Sequence, residues 1–91
     1  MIEMVRKDGK TCPVIFCDVC GKLIKDVDMG MVSFTSMEEG NIPVKFVHKF
    51  TCDQGDPMWQ ELSHFLAWLL QNVGFDDEKY KNAKEAVVFL Q

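Results

Sequence analysis

Four residues in this 91-residue chain have the types and the spacing of metal ligands. Cys17 and Cys20 are separated by two residues and are followed by Gly21, which forms the tight turn that lets two thiolates reach one ion while backbone amides point at the sulfurs. His48 and Cys52 form a second pair, with a four-residue step between them. Three sulfurs and one imidazole satisfy tetrahedral zinc and leave no coordination position open. The pattern therefore predicts one structural zinc ion per chain, held by Cys17, Cys20, His48 and Cys52.

Other interpretations of these residues remain open at this point. The strand pattern around His48 also suits a core histidine bonded to a backbone group, although the step to Cys52 favours a ligand. Cys12 is expected to be a small buried side chain beside Pro13, but it could replace His48 in a four-cysteine site. A redox role for the first pair is disfavoured because Gly21 and a strand-like segment follow it, where a helix would be needed to lower the thiol pKa. A disulfide framework would need an oxidising compartment, for which the sequence has no targeting signal.

Before the first ligand pair, Asp8-Gly9 is a predicted turn between two short extended pieces, the second of which is a strand over residues 11–16.

The segment between the two ligand pairs must bring the second pair back to the first. Residues 29–36 alternate apolar and polar side chains as a half-buried strand does, and residues 42–50 do the same after a glycine-containing loop. The two runs predict an antiparallel hairpin.

The period changes to that of a helix after residue 55. Asp56-Pro57 is a typical helix start, and apolar residues recur at steps of three and four from Trp59 to Val73. Gly74 is placed to end this helix, and Asp76 to begin a second one that runs to the end of the chain.

Together these segments predict an α+β fold, in which a zinc-bound cysteine knuckle and an antiparallel β-hairpin pack against two C-terminal α-helices. One domain is expected over residues 1–91, with the knuckle and hairpin at about residues 12–55 and a helical hairpin at residues 56–91. The knuckle, the hairpin and the His48-x-x-x-Cys52 pair resemble the treble-clef group of zinc domains over about residues 12–73. The strand-like setting of His48 departs from that group, so a zinc ribbon is the alternative. Neither group implies a single function.

Composition and charge narrow the classes of function. No apolar run is long enough for a membrane helix and no signal peptide is visible, so a cytoplasmic protein is expected. The net charge is +2 over residues 1–25, −2 over residues 26–50 and −4 over residues 51–91, which disfavours nucleic-acid binding. The sequence has no glycine-rich phosphate loop, no Gly-x-Ser-x-Gly elbow and no His-Glu-x-x-His run, so we expect neither an enzyme nor a small-molecule substrate. The expected function is that of a protein-interaction module with a structural zinc, acting through its apolar helical half. The alternative function is a nucleic-acid-binding zinc finger that uses the basic residues Arg6, Lys7, Lys10, Lys22 and Lys25.

The helical half carries more apolar surface than a small hairpin buries. Residues 65–70 are six apolar side chains in succession, and Trp68 falls outside the apolar stripe of its helix. The last helix could cover this excess. Otherwise the excess predicts a homodimer or a protein partner, since large exposed apolar patches mark such sites. The residues expected in this interface are Phe65, Trp68, Val88 and Phe89.

Overall fold

The computed structural model describes residues 1–36 and 38–79 of the chain. Its elements in chain order are β1 (Ile2–Lys7), β2 (Lys10–Ile15), a 3-10 turn (Val27–Met29), β3 (Gly30–Phe34), β4 (Lys45–His48), β5 (Met58–Glu61) and α1 (Leu62–Asn72). The strands form two antiparallel sheets, one of β1 and β2 and one in the order β4-β3-β5. Among the described residues, no helix has the length and apolarity needed to cross a bilayer.

The first sheet is a hairpin closed by two residues in the left-handed region. Asp8 and Gly9 have φ values of 56° and 77°, and the register runs from Ile2 opposite Ile15 to Lys7 opposite Lys10. A two-residue loop with both φ values positive matches the right-handed twist of the flanking strands, which is why Asp-Gly is favoured there. The predicted turn and the strand that follows it are confirmed.

The second sheet has β3 at its centre. Val32 lies opposite Phe46 of β4 and opposite Gln60 of β5, and its side chain is fully buried. The predicted hairpin of β3 and β4 is confirmed, but β4 ends at His48 and does not continue to Phe50. Phe50 has a φ of 65°, which takes the chain out of the extended conformation.

The predicted start of the first helix at Asp56-Pro57 is wrong. Residues Met58–Glu61 form a strand that pairs with β3, and α1 begins at Leu62. A four-residue segment with helical spacing is extended here because β3 would otherwise leave the backbone groups of its second edge unpaired. Asp56 does not cap a helix, and its carboxylate lies 2.9 Å from the Lys45 ammonium. Hydrogen bonds from Lys45 and then from Ser33 hold the pKa of Asp56 below its ordinary value.

The predicted packing of one hairpin against two C-terminal helices is also wrong. The described residues contain two small sheets and one helix. Of the predicted fold class, only the mixture of strands and helix is confirmed. The predicted second helix falls mainly on residues 80–91, which lie outside the described residues. The end of α1 is as expected: Gly74 has a φ of 74°, and the amides of Gly74 and Phe75 donate to the carbonyls of Gln71 and Leu70. These two bonds form a Schellman cap.

The core lies between the three-stranded sheet, the start of α1 and the first cysteine turn. It consists of Cys17, Ile24, Met31, Val32, Phe46, Val47 and Leu62, with Ile15, Cys52, Phe65 and Leu66 packed against it. The Phe46 and Phe65 rings meet edge to face at a centroid distance of 5.7 Å, which joins β4 to α1. Cys17 belongs to this cluster and Cys52 packs against it, so two of the four predicted metal ligands lie at the apolar core.

Leu62 and Leu70 provide a matched pair for testing this core. Leu62 is 2% exposed and Leu70 is 43% exposed on the same helix. Leu62→Ala is expected to lower the free energy of unfolding by about 2–5 kcal/mol because it leaves a cavity in the core. Leu70→Ala should cost less than about 1 kcal/mol. Denaturant unfolding of the two variants checks this, and equal losses would show that α1 does not pack as described.

Candidate metal centre

The first ligand pair lies in a turn that the backbone itself closes. The Cys17 amide donates to the Lys22 carbonyl at 2.9 Å, and the Gly21 amide donates to the Cys17 carbonyl at 3.0 Å. Gly21 has a φ of 74°, a conformation that glycine adopts without steric cost. The amides of Val19 and Cys20 point at the Cys17 sulfur at 3.4 and 3.5 Å. The predicted turn, with its amides directed at sulfur, is therefore present.

The second pair spans the end of β4 and the turn that follows it. His48 is the last residue of the strand, and the Cys52 amide donates to the His48 carbonyl at 3.2 Å. This bond curls residues 48–52 back on themselves and places the Cys52 sulfur beside the imidazole. The strand position of His48 is confirmed, and α1 begins ten residues after Cys52. The treble-clef order, in which the helix starts near the second pair, is not found, because β5 lies between them.

Hydrogen bonds between the first turn and β4 bring the two pairs together. The Asp18 amide donates to the Phe46 carbonyl at 2.7 Å, and the Phe46 amide donates to the Asp18 carboxylate at 2.8 Å. The ligand atoms of Cys17, Cys20, His48 and Cys52 all lie within 4.8 Å of one another. The sequence placed Asp18 only in a turn, and its sequence context carries no signal for this contact with a strand 28 residues away.

The imidazole of His48 is oriented from both sides. Its Nε2 lies 3.2 Å from the Leu23 carbonyl, while its Nδ1 lies 3.5 Å from the Cys20 sulfur and 3.9 Å from the Cys52 sulfur. A carbonyl only accepts hydrogen bonds, so it selects the tautomer that carries the proton on Nε2. Nδ1 is then the free lone pair, and it faces the sulfurs. A second partner of this kind is typical of histidines that bind metals.

The environment affects the thiols unequally. Burial of Cys17 opposes ionisation, but hydrogen bonds from the amides of Cys20, His48 and Val19 outweigh it and lower the pKa of Cys17 to about 6. Burial, followed by the neighbouring sulfurs of Cys17 and Cys20, raises the pKa of Cys52. One thiolate therefore forms readily and disfavours a second beside it. A divalent cation between the sulfurs would remove this repulsion.

These donors fit a single tetrahedral ion. Zinc bonds of about 2.3 Å to sulfur and about 2.0–2.1 Å to nitrogen give sulfur–nitrogen edges of about 3.5–3.6 Å. The observed distances of 3.5 and 3.9 Å from the His48 nitrogen to two sulfurs are close to this value. The cluster could therefore hold one metal ion with four protein ligands. Cys12 is exposed on β2 and is not part of the cluster, so the expectations that it is buried or replaces His48 are wrong.

Two of the four residues predicted to bind a partner, Phe65 and Trp68, lie within the described part of the chain, one turn apart on α1. Phe65 packs against the core, whereas Trp68 is 58% exposed on α1. Val88 and Phe89 lie outside the described residues. Comparison of the chain with protein-family models, with curated proteins and with solved structures found no match.

Replacing single cysteines tests the composition of the centre. Cys17→Ser and Cys20→Ser should each reduce the bound metal well below one ion per chain and lower the melting temperature, since the site loses a ligand. Cys12→Ser is the matched control and should keep the metal content of the wild type. Elemental analysis of protein purified under reducing conditions measures this. Loss of metal in Cys12→Ser would contradict the assignment of the four ligands.

The orientation of His48 predicts which of its nitrogens binds the metal. In the metal-loaded protein, a proton–nitrogen correlation spectrum of the imidazole should show a protonated Nε2 and a metal-bound Nδ1, because the Leu23 carbonyl holds the Nε2 proton. His64, exposed on α1, serves as the reference ring in the same spectrum. Coordination through Nε2 would show that the ring is turned over.

Proposed function

We propose that this protein is a non-enzymatic zinc domain in which the ion is structural and an exposed apolar patch on α1 binds a second protein chain. This patch, the α1 face, consists of Trp68, Leu69 and Val73. The observation that carries the proposal is the convergence of three sulfurs and one imidazole from two distant segments. Four protein donors fill a tetrahedral ion and leave no position for water or substrate, which distinguishes structural from catalytic zinc. Thiolates and imidazole are also the ligands that zinc prefers over magnesium or calcium.

The size of the core supports a structural role for the ion. Only seven apolar side chains are buried among the described residues, and one of them is Cys17. A small core of this kind commonly needs an additional constraint such as a metal. Zinc binding to small domains supplies on the order of 10 kcal/mol of apparent free energy, most of which appears as folding stability.

The exposed side chains at the C-terminal end of α1 support the interaction role. Trp68 is 58% exposed, and Leu69 and Val73, which continue the stripe of Leu62 and Leu66 beyond the core, are also exposed. Neighbouring exposed apolar side chains with a tryptophan among them are typical of protein interfaces. The occupant we propose is a second copy of this chain, since a two-fold dimer covers the same patch on both partners.

The alternative function is nucleic-acid binding by the basic N-terminal region. Its support is the position of Lys7 opposite Lys10 at the end of the β1–β2 hairpin, with Arg6 next in the register. A projecting basic hairpin could enter a groove of a duplex. The net charge of −4 works against this function, because phosphate contacts supply most of the affinity of such proteins.

Light scattering after gel filtration at micromolar concentration tests the proposed function. The metal-loaded protein should have twice the 10.5 kDa mass of the chain, and Trp68→Glu should have the mass of one chain because it places a charge in the interface. Trp59→Ala, which removes an exposed tryptophan outside α1, is the control and should remain a dimer. A wild-type mass near 10.5 kDa would contradict the dimer.

A binding series with a duplex oligonucleotide at increasing salt tests the alternative. Affinity that falls steeply with salt and weakens in Lys7→Ala and Lys10→Ala would favour nucleic-acid binding. The proposed function requires no measurable binding of the oligonucleotide at physiological salt.

A further inference from the structure

A small cavity beside the second ligand pair has no role in the centre or in the helix face. Its volume is about 200 Å³, and its lining residues are Met31, Lys49, Phe50, Asp53, Trp59 and Glu61. Two of these are large aromatic side chains that are mostly in solvent, with Phe50 85% and Trp59 56% exposed. Sites for drug-sized ligands are larger, roughly 300–1,000 Å³. The cavity has the size of a single side-chain head.

Phe50 is held in this position against its conformational preference. Its φ of 65° belongs to the left-handed region, where a bulky residue is strained. The turn from His48 to Cys52 needs one such residue, and glycine or asparagine would supply it at lower cost. A phenylalanine there costs conformational free energy in the backbone and leaves its apolar ring in solvent. Such strain is typical of binding positions, and here the strained residue lines the cavity.

The charges of the lining favour a cation. The Lys49 ammonium lies 2.8 Å from the Glu61 carboxylate, and the Lys49 side chain is only 14% exposed. This ion pair is therefore partly buried and adds no net charge to the lining. Asp53 supplies a further carboxylate, whose Oδ1 accepts a hydrogen bond from the Gly55 amide at 2.9 Å. The lining therefore carries one net negative charge beside two aromatic side chains.

We propose that this cavity binds the trimethylammonium head of a methylated lysine on a partner protein. Aromatic faces attract cations through the ring quadrupole, and an ammonium ion wrapped in methyl groups gives up little hydration on entering such a site. An unmodified lysine keeps a strongly hydrated head, which would need more acceptors than Asp53 offers. Phosphocholine is a poorer fit, because its phosphate would meet the negative lining. The site is independent of the proposed dimer, since no residue of the α1 face lines it.

Titration of the metal-loaded Trp68→Phe variant tests the proposal, because Trp59 is then the only tryptophan and reports on the cavity by fluorescence. The probes are N-acetyl-trimethyllysine methylamide, the same compound with an unmethylated lysine, its neutral carbon isostere, and phosphocholine. The trimethylated probe should bind with a saturable change in fluorescence and at least about fivefold more tightly than each of the other three. Equal binding of the neutral isostere, tighter binding of phosphocholine, or no saturable change at millimolar probe would overturn the proposal.

Variants of the lining separate binding from folding. Phe50→Gly relieves the left-handed strain, so it should unfold no earlier than its parent while binding the probe about two- to fivefold or more weakly. Asp53→Asn keeps the acceptor oxygen for Gly55 and removes the charge, so it should weaken binding as well. Unchanged affinity in both variants would overturn the proposal. Metal content and oligomeric mass are measured on the same samples, so a failure of the proposed function would be seen separately.

Discussion

Contacts between the first cysteine turn and β4 hold this structure together. Asp18 and Phe46 exchange two hydrogen bonds, and the Leu23 carbonyl holds the imidazole of His48. These bonds join segments that are more than 20 residues apart in the chain and satisfy polar groups that would be costly to leave unpaired beside the core. They also bring thiol groups close enough to repel one another once ionised. A cation among them would convert that repulsion into attraction, so the same contacts that fix the fold create a cluster that could hold a metal ion.

The centre and the core are a single unit. Cys17 is buried in the apolar cluster and Cys52 packs against it. The backbone of Phe46 is hydrogen-bonded to Asp18, and its ring contacts the ring of Phe65. A change at the centre is therefore transmitted to β4 and from there to α1. This coupling is the physical basis for expecting metal binding and folding stability to change together.

The turn at residues 48–52 has two consequences for the surface. It returns Cys52 to the imidazole, and it forces Phe50 into the left-handed region with its ring in solvent. β5 then places Trp59 at the same cavity, and the ion pair of Lys49 with Glu61 joins β5 to the residue that follows His48. The cavity is thus built from β5 and the turn that carries the second ligand pair, whereas Trp68 is exposed on α1 and does not line it.

The sequence alone determined the four ligand candidates, the Asp-Gly hairpin, the β3–β4 pairing and the glycine that ends α1. Each of these features follows from residue types at short spacings in the sequence, because those residues act on the neighbouring backbone. The tertiary structure alone decided that Met58–Glu61 is a strand, because the open edge of β3 lies far away in the chain and outweighs helical spacing over four residues. It also decided that Asp56 pairs with Lys45 and that Cys12 stands outside the cluster. These features depend on contacts between residues that are distant in the sequence, and the local sequence around each residue does not indicate such contacts.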